Sequence, residues 1–185
     1  MNCLVTGGTG FLGRHLIRKL VADGHTVRAL VRRDALSLER EGVETARGDV
    51  LDPSSLGPAL EGIETVFHLA GRVQHKGEPT EIFQLHIEGT RHMLAAAAEA
   101  KVERFVYMST SGTCAVSTRD HPIADESAPY ATTVVRNWPY YLSKIFAEKV
   151  ALEFHARKGL PVVVLCPSLL LGPEDEGLSS SEILF

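Results

Sequence analysis

The sequence predicts an α/β fold, built as a mainly parallel, doubly wound sheet with helices on both faces. Short apolar runs alternate with longer segments of helical periodicity through the whole chain. A glycine-rich turn, TGGTGFLG at 6–13, joins the first apolar run to the first helical segment. Strands that alternate with helices form βαβ units, whose strands run parallel. The order of the elements therefore indicates one continuous sheet.

Length and composition exclude several classes of protein. The 185 residues suffice for one well-buried domain but are short for two. The net charge is −4 and no segment reaches the ~20 apolar residues of a membrane helix, so neither a nucleic-acid nor a membrane surface is expected. Cys3, Cys114 and Cys166 are odd in number and widely spaced, unlike a disulfide framework or a zinc site. Because Met1 runs directly into a strand without a secretory leader, we expect a cytoplasmic protein. From the cysteine spacing we expect no bound metal, and we expect Cys3 and Cys166 to lie in the core as free cysteines commonly do.

The glycine turn carries the spacing G-x-x-G-x-x-G at Gly7, Gly10 and Gly13. A strand is predicted before it at 2–5 and a helix after it at 14–22. In such a turn one glycine permits the tight bend, one lets a pyrophosphate approach the backbone, and one lets the helix pack against the strand. The phosphates then meet backbone N–H groups at the positive end of the helix. The motif therefore predicts a dinucleotide-binding fold of the Rossmann type.

The remaining elements follow in regular alternation. Gly24 fits a left-handed end to the first helix, and Gly159 with Pro161 fits the end of the last. We expect polar loops at 109–139 and 172–185, the first long enough to be functional. Further strands are predicted at 26–31, 43–47, 65–69, 104–108 and 162–166, and further helices at 53–60, 81–100 and 140–158.

Charged residues after the second strand bear on the choice of cofactor. In dinucleotide folds this strand ends beside the adenosine ribose, where an acid binds the 2′-hydroxyl of NAD and an arginine accommodates the 2′-phosphate of NADP. Arg32 and Arg33 stand there, which favours NADP. The alternatives are that both are solvated charges and that Asp34 makes the NAD-type contact. Asp49, after the third strand, either binds the adenine amine or caps the turn before Pro53.

A second group of residues indicates acid–base chemistry. Tyr140 and Lys144 are four apart at the start of the last helix and share one face. We expect the lysine ammonium to lower the pKa of Tyr140 from about 10, so that the phenol exchanges a proton with a carbonyl or alcohol oxygen. Lys144 is also placed to hold a nicotinamide ribose. Ser109, Thr110 and Ser111 follow the fifth strand and bring hydroxyl groups to the ligand-binding edge of the sheet.

Taken together, these motifs resemble the extended short-chain dehydrogenase/reductase family of NAD(P)-dependent epimerases, dehydratases and reductases. They occur in the family's order over nearly the whole chain. The matching pieces are TGGTGFLG at 6–13, GDV at 48–50, FHLAG at 67–71, IEGT at 87–90, FVYMSTSG at 105–112, YYLSK at 140–144 and LCPSLLLGP at 165–173.

The resemblance assigns roles to particular residues. It makes Tyr140 the proton-transferring residue, Lys144 its partner and Thr110 the catalytic hydroxyl, with Ser111 as the next candidate. It matches Arg32 to the cation of NADP-using reductases similar to dihydroflavonol reductases. The cofactor-binding residues that it implies are Gly7, Gly10, Phe11, Leu12, Gly13, Arg32, Asp49, Val50, Leu69, Ala70, Gly71, Tyr140, Lys144, Pro167 and Ser168.

The sequence departs from the family pattern in three places. His86 replaces the asparagine of the motif N-V-x-G-T, and Cys166 replaces an arginine found in many sugar epimerases. The family usually continues beyond the length of this chain into a substrate-binding lobe. We therefore expect an NAD(P)-binding domain at 1–172, and at 173–185 the start of a C-terminal substrate lobe that is cut short.

Three functions are compatible with the sequence. The first is an NADP-dependent reductase or dehydrogenase, with hydride transfer between the nicotinamide and a small-molecule carbonyl or alcohol. The second is a nucleotide-sugar epimerase or dehydratase, although Ser111 and Gly112 stand where dehydratases commonly carry an Asp-Glu pair. The third is a non-catalytic NADP-binding sensor or scaffold. We expect any homodimer to form through the helices at 81–100 and 140–158.

Overall fold

In the part of the chain that the structure describes, six parallel strands form one central sheet. The structure is a computed structural model that describes residues 1–73, 79–118 and 124–175. Within these ranges the strand order is β3-β2-β1-β4-β5-β6, and every neighbouring pair is parallel. This confirms the predicted doubly wound α/β fold. The strands are β1 Asn2–Thr6, β2 Thr26–Val31, β3 Glu44–Arg47, β4 Thr65–His68, β5 Arg104–Met108 and β6 Val162–Leu165.

Helices connect the strands and cover both faces of the sheet. Short 3₁₀ turns lie at Pro53–Ser55 and Ser111–Thr113, and a π-helical turn at Gln84–Glu88 joins α4 to α5. The α-helices of the described ranges are α1 Phe11–Ala22, α2 Leu36–Arg40, α3 Gly57–Leu60, α4 Pro79–Phe83, α5 Gly89–Glu99 and α6 Pro139–Lys158.

Alternate side chains of β1 belong to two separate hydrophobic clusters, one on each face of the sheet. Leu4 packs in one cluster with Met93 of α5 and Phe105 of β5, whereas Val5 packs in the other with Ile17 of α1. This follows from the strand geometry, since successive side chains point to opposite faces. Cys3 is fully buried in the same cluster as Val5, as expected.

Cys166 differs from its expected core position. It follows β6 and is only half-buried, because β6 is the edge strand of the described sheet and its side chains are covered incompletely. Val163 and Leu165 of the same strand are likewise exposed.

The prediction was wrong or incomplete for three helices. Helix α2 was missed, because it has five residues and only Leu38 is buried, which is too short to show a helical period. The helix predicted at 53–60 is a 3₁₀ turn, capped by the Asp52 carboxylate on the Ser54 N–H, followed by α3. The helix predicted at 81–100 is interrupted by the π-helical turn.

Residues 172–175 begin the second predicted loop, of which 176–185 lie outside the described residues. They pack against α1. The Arg18 guanidinium donates to the Glu174 carboxylate at 2.8 Å, and His15 Nε2 lies 3.0 Å from the carbonyl oxygen of Pro173. The chain leaving β6 is therefore tied to the helix that follows β1. Within the described ranges, no helix is long and apolar enough to cross a membrane.

The reversal of strand order beside β1 places a crevice at the carboxyl ends of β1 and β4. From β1 the chain moves outward to β2 and β3, and it then returns to build β4, β5 and β6 on the other side. Gly7 lies in this crevice with φ +71°, and a Cβ on it would come within 2.9 Å of the Leu69 carbonyl group. Only glycine tolerates both the left-handed conformation and this approach.

We predict that Gly13→Ala destabilises the protein by roughly 1–3 kcal/mol or more, as in overpacked cores. A Cβ at this position would lie 2.2 Å from the carbonyl oxygen of Gly7, a backbone atom that cannot swing aside. Urea unfolding measures the change. Gly57→Ala is the matched control, because a Cβ there meets nothing within 4 Å. Equal stability of the two variants would contradict the prediction.

Candidate active site

A cavity of about 880 Å³ opens at the crevice between the carboxyl ends of the strands. It is lined by every residue for which the sequence predicted a catalytic or cofactor-binding role, except Ser111, the second candidate for the catalytic hydroxyl. The predicted residues that line it are Gly7, Gly10, Phe11, Leu12, Gly13, Arg32, Asp49, Val50, Leu69, Ala70, Gly71, Thr110, Tyr140, Lys144, Pro167 and Ser168.

The glycine turn divides its three roles as the motif predicts. Gly7 makes the bend, and Gly13 packs α1 against the turn. Gly10 is exposed and faces the cavity. The first helical hydrogen bond of α1 runs from the Arg14 N–H to the Gly10 carbonyl at 3.0 Å. The N–H groups of residues 11–13 precede that bond at the positive helix end, an arrangement suited to an anion such as a pyrophosphate.

Cations dominate the rim of the cavity beyond β2. Arg32 and Arg33 are exposed and line it together with Asp34. The Asp34 carboxylate lies 3.9 Å from the Arg47 guanidinium, and both side chains are exposed to solvent. An exposed pair at this distance leaves the Asp34 carboxylate accessible, so the choice between an NAD-type contact and the arginine pair stays a prediction. The local balance of charge is positive.

Asp49 caps the turn after β3. Its Oδ1 accepts a hydrogen bond from the Leu51 N–H at 2.9 Å, while Asp52 caps the 3₁₀ turn that follows. Of the two alternatives at Asp49, the structural one is therefore present. The side chain still lines the cavity, so the adenine contact stays a prediction.

The loop after β4 is held by a buried polar network. The Ala70 N–H donates to the Thr6 hydroxyl at 3.0 Å. His68 lies between Thr6 Oγ1, at 2.9 Å from Nδ1, and Thr90 Oγ1, at 3.1 Å from Nε2. Burial, reinforced by the nearby charge of Lys144, lowers the pKa of His68 to about 3, so its imidazole is neutral. The network fixes the backbone of this cavity wall.

Lys144 is buried at the floor of the cavity. Its ammonium donates to the carbonyl oxygen of Met108 at the end of β5 and lies 4.6 Å from the centroid of the Tyr107 ring. Burial lowers the pKa of Lys144 to about 7, and the carboxylate of Glu148 opposes that shift. The ammonium is therefore close to its titration point at neutral pH.

The expectation for the pKa of Tyr140 was wrong. Burial, together with a smaller effect of Tyr141, raises it to about 12, whereas we expected Lys144 to lower it. The spacing of four residues places both side chains on one helix face, but the Lys144 ammonium turns to Met108 and the Tyr107 ring. Tyr140 is consequently a protonated phenol at neutral pH and is suited to donate a proton.

Thr110 is the predicted catalytic hydroxyl residue, and it lies in the cavity. Its Oγ1 accepts the Gly112 N–H at 3.3 Å and so caps the 3₁₀ turn after β5. Ser109 also lines the cavity, but its hydroxyl donates to the Glu148 carboxylate at 2.5 Å. Ser111 is not among the described residues that line it, and its N–H donates to the Pro167 carbonyl at 2.9 Å. This bond joins the loops that follow β5 and β6.

Sequence reasoning missed Glu148. This buried carboxylate accepts hydrogen bonds from Ser109 and, at 3.2 Å, from the hydroxyl of Tyr130. It lies one helical turn beyond Lys144. Its spacing from that lysine was the available signal, since residues four apart share a helix face.

The strand order, the glycine turn and the placement of the cavity are those of a Rossmann-type dinucleotide-binding protein. Comparison with known protein families identifies the family within this class. The chain belongs to the NAD dependent epimerase/dehydratase family, which matches residues 3–184, and thus to the extended short-chain dehydrogenases/reductases.

Several characterised proteins are similar to this chain. Dihydroflavonol 4-reductase of Zea mays is 34% identical over 188 residues, covering 92% of this chain and 53% of the reductase. Sterol demethylase protein B of Methylococcus capsulatus is 36% identical over 183 residues, covering 95% of this chain and 53% of that protein. The chain therefore spans about half the length of the curated relatives it matches.

A solved structure provides a further comparison. UDP-glucose 4-epimerase of Thermus thermophilus, in complex with NAD, superposes with a TM-score of 0.87 at 26% identity. The match covers 100% of this chain and 61% of the epimerase.

We predict that the Lys144 ammonium titrates at about 7 and that Glu148→Gln lowers its pKa further. The carboxylate favours the charged lysine, so its loss favours the neutral amine. NMR of isotopically labelled lysine side chains measures the titration. Glu153→Gln, on an exposed part of the same helix, is the control and leaves the Lys144 pKa unchanged. A rise of this pKa in Glu148→Gln, or no change, would contradict the assignment.

Proposed function

We propose that this chain is the cofactor-binding part of an NADP-dependent oxidoreductase that interconverts a carbonyl and an alcohol. One observation carries the proposal. The glycine turn, the arginine pair and the Tyr140–Lys144 pair, which are far apart in the sequence, line a single cavity of about 880 Å³. Such clustering of an anion site with a proton donor is typical of a catalytic cleft.

The cavity wall fits NADP along its length. The start of α1 suits the pyrophosphate, because its first N–H groups lie at the positive helix end. Arg32 and Arg33 suit the 2′-phosphate, since guanidinium groups bind phosphate through paired, charge-assisted hydrogen bonds. Ala70 and Gly71 are small residues that allow a ring system to lie against the backbone.

The acid–base residues support the reduction of a carbonyl. When bound, the nicotinamide supplies the hydride. Tyr140, protonated at neutral pH, donates its phenolic proton to the oxygen of the substrate, and the Thr110 hydroxyl donates a hydrogen bond to that oxygen. Lys144 lines the cavity one helical turn below, where its ammonium suits the hydroxyl groups of the nicotinamide ribose. In the direction of alcohol oxidation the same groups act in reverse.

Packing at Gly112 disfavours the dehydratase alternative. A Cβ on this residue would lie 2.1 Å from the ring of Tyr141, so the acidic residue that dehydratases commonly carry here does not fit. An NAD-retaining epimerase stays the second candidate, because the Thermus enzyme similar to this chain is a UDP-glucose 4-epimerase with NAD. The arginine pair beside β2 favours the reductase.

Oligomeric state and location belong to the same proposal. We infer a homodimer formed through α5 and α6, because α6 exposes the apolar side chains of Phe146 and Leu152. We propose the cytoplasm as its location. Light scattering of the purified protein tests the dimer, and a monomer at micromolar concentration would refute it.

We predict that the purified chain binds NADPH and that Arg32→Ala weakens this binding roughly ten-fold, about 1.4 kcal/mol. The loss arises because the guanidinium no longer neutralises the 2′-phosphate. Fluorescence titration measures the affinity for NADPH and for NADH. The control is Arg40→Ala, which changes a cation of α2 that is not among the described residues lining the cavity.

Either of two results would overturn the choice of cofactor. The first is an affinity for NADH that equals or exceeds the affinity for NADPH. The second is an Arg32→Ala variant that binds both dinucleotides as the wild type does. Each of them would favour the NAD-retaining epimerase over the NADP-dependent reductase.

We predict that Tyr140→Phe retains NADPH binding within about two-fold and loses roughly 10²-fold or more in turnover, as expected when a general acid is removed. Oxidation of NADPH is followed with a panel of aldehydes and ketones, and epimerisation with UDP-sugars. A sensor without activity would bind NADPH equally in both forms and turn over neither. Equal turnover by wild type and variant would remove Tyr140 from the chemistry.

A further inference from the structure

His86 stands where the family motif has asparagine, and it occupies the π-helical turn between α4 and α5. Its side chain is 1% exposed and lies at the cavity. The ring centroid is 5.7 Å from that of Tyr140, with the two rings nearly perpendicular at 77°. His86 is therefore packed directly against the proposed proton donor.

Both ring nitrogens of His86 are engaged, and their partners fix the tautomer. The backbone N–H of Arg72 donates to Nε2 at 3.0 Å, so Nε2 carries no proton. Nδ1 then carries it and donates to the Ser143 hydroxyl at 2.7 Å. Ser143 in turn donates to the Tyr140 carbonyl oxygen at 2.7 Å. Burial keeps this ring neutral, since it lowers the pKa of His86 to about 3.

The two ends of this chain of hydrogen bonds belong to opposite walls of the cavity. Arg72 directly follows Gly71, which lines the cavity after β4, and a Cβ on Gly71 would lie 3.2 Å from His86 Nε2. Ser143 and Tyr140 belong to the start of α6. An asparagine at position 86 would be too short to span both, because one of its two polar atoms takes the position of Nδ1 in histidine and the other that of Cδ2, so neither reaches the position of Nε2.

We propose that His86 is a positioning residue that joins the loop after β4 to the start of α6, and so sets Tyr140 relative to the cofactor-lining wall. The π-helical turn displaces the helix locally so that the ring points between the two walls. The role of Tyr140 rests on the proposed function, but the connection between the walls does not. The connection can therefore be tested without turnover.

Two substitutions separate the ends of the connection. In His86→Asn the side-chain amide lies near the position of Nδ1 and keeps the bond to Ser143, but it does not reach Arg72. In His86→Gln the amide reaches the position of Nε2 and keeps the bond from Arg72, but it loses Ser143. Ser143→Ala removes the second bond without changing the histidine.

The experiment measures hydrogen exchange of the Arg72 amide by NMR, together with the nitrogen resonances of the His86 ring. We expect a protonated Nδ1 and a bare Nε2 in the wild type. Loss of one hydrogen bond then speeds exchange of the Arg72 amide roughly ten-fold, about 1.4 kcal/mol, in His86→Asn. His86→Gln and Ser143→Ala leave this exchange within about two-fold of the wild type.

The affinity for NADPH provides the second measurement on the same proteins. We expect it to fall several-fold in His86→Asn, whose loop is released, and to change less in His86→Gln. A protonated Nε2 in the wild type, or equal Arg72 exchange in the Asn and Gln variants, would overturn the positioning role. Failure of every protein to bind NADPH, with the exchange pattern intact, would instead refute the proposed function and leave the connection standing.

Discussion

The close approach of three backbone segments at the end of β1 is the constraint on which the rest of the site depends. Gly7 lies so close to the loop after β4 that a Cβ on it would come within 2.9 Å of the Leu69 carbonyl group, and Gly13 allows α1 a close approach to Gly7. Side chains at either position would push α1 and the β4 loop apart. With glycine at both positions, the positive end of α1 and the carboxyl ends of β1 and β4 meet in one crevice.

Much of this architecture could be predicted, because glycine and proline residues mark the ends of strands and helices. The bounds of β2 and β5 are those the apolar runs indicate, and the left-handed Gly24 and Gly159 lie just past the ends of α1 and α6. The exceptions have physical causes. A helix of one turn shows no period, and one additional residue in a π-helical turn changes helical spacing too little to be seen in a sequence.

The site could be predicted as a set of positions but not as a set of interactions. Helical spacing places Tyr140 and Lys144 on one face, yet the direction of the Lys144 side chain is decided by Met108 and Tyr107, which belong to β5. Likewise, the departure of His86 from the family motif is visible in the sequence. Its hydrogen-bond partners are not, because they belong to the loop after β4 and to α6. Tertiary contacts, not local sequence, set these protonation states.

The buried histidines have a consequence for behaviour in acid. The folded protein holds His68 and His86 with pKa values near 3, well below the 6.5 of an exposed imidazole. Between these values the unfolded chain binds protons that the folded chain does not, so stability falls as the pH is lowered through this window. Acid therefore lowers the stability of the whole fold through the two histidines whose hydrogen bonds fix the walls of its own cavity.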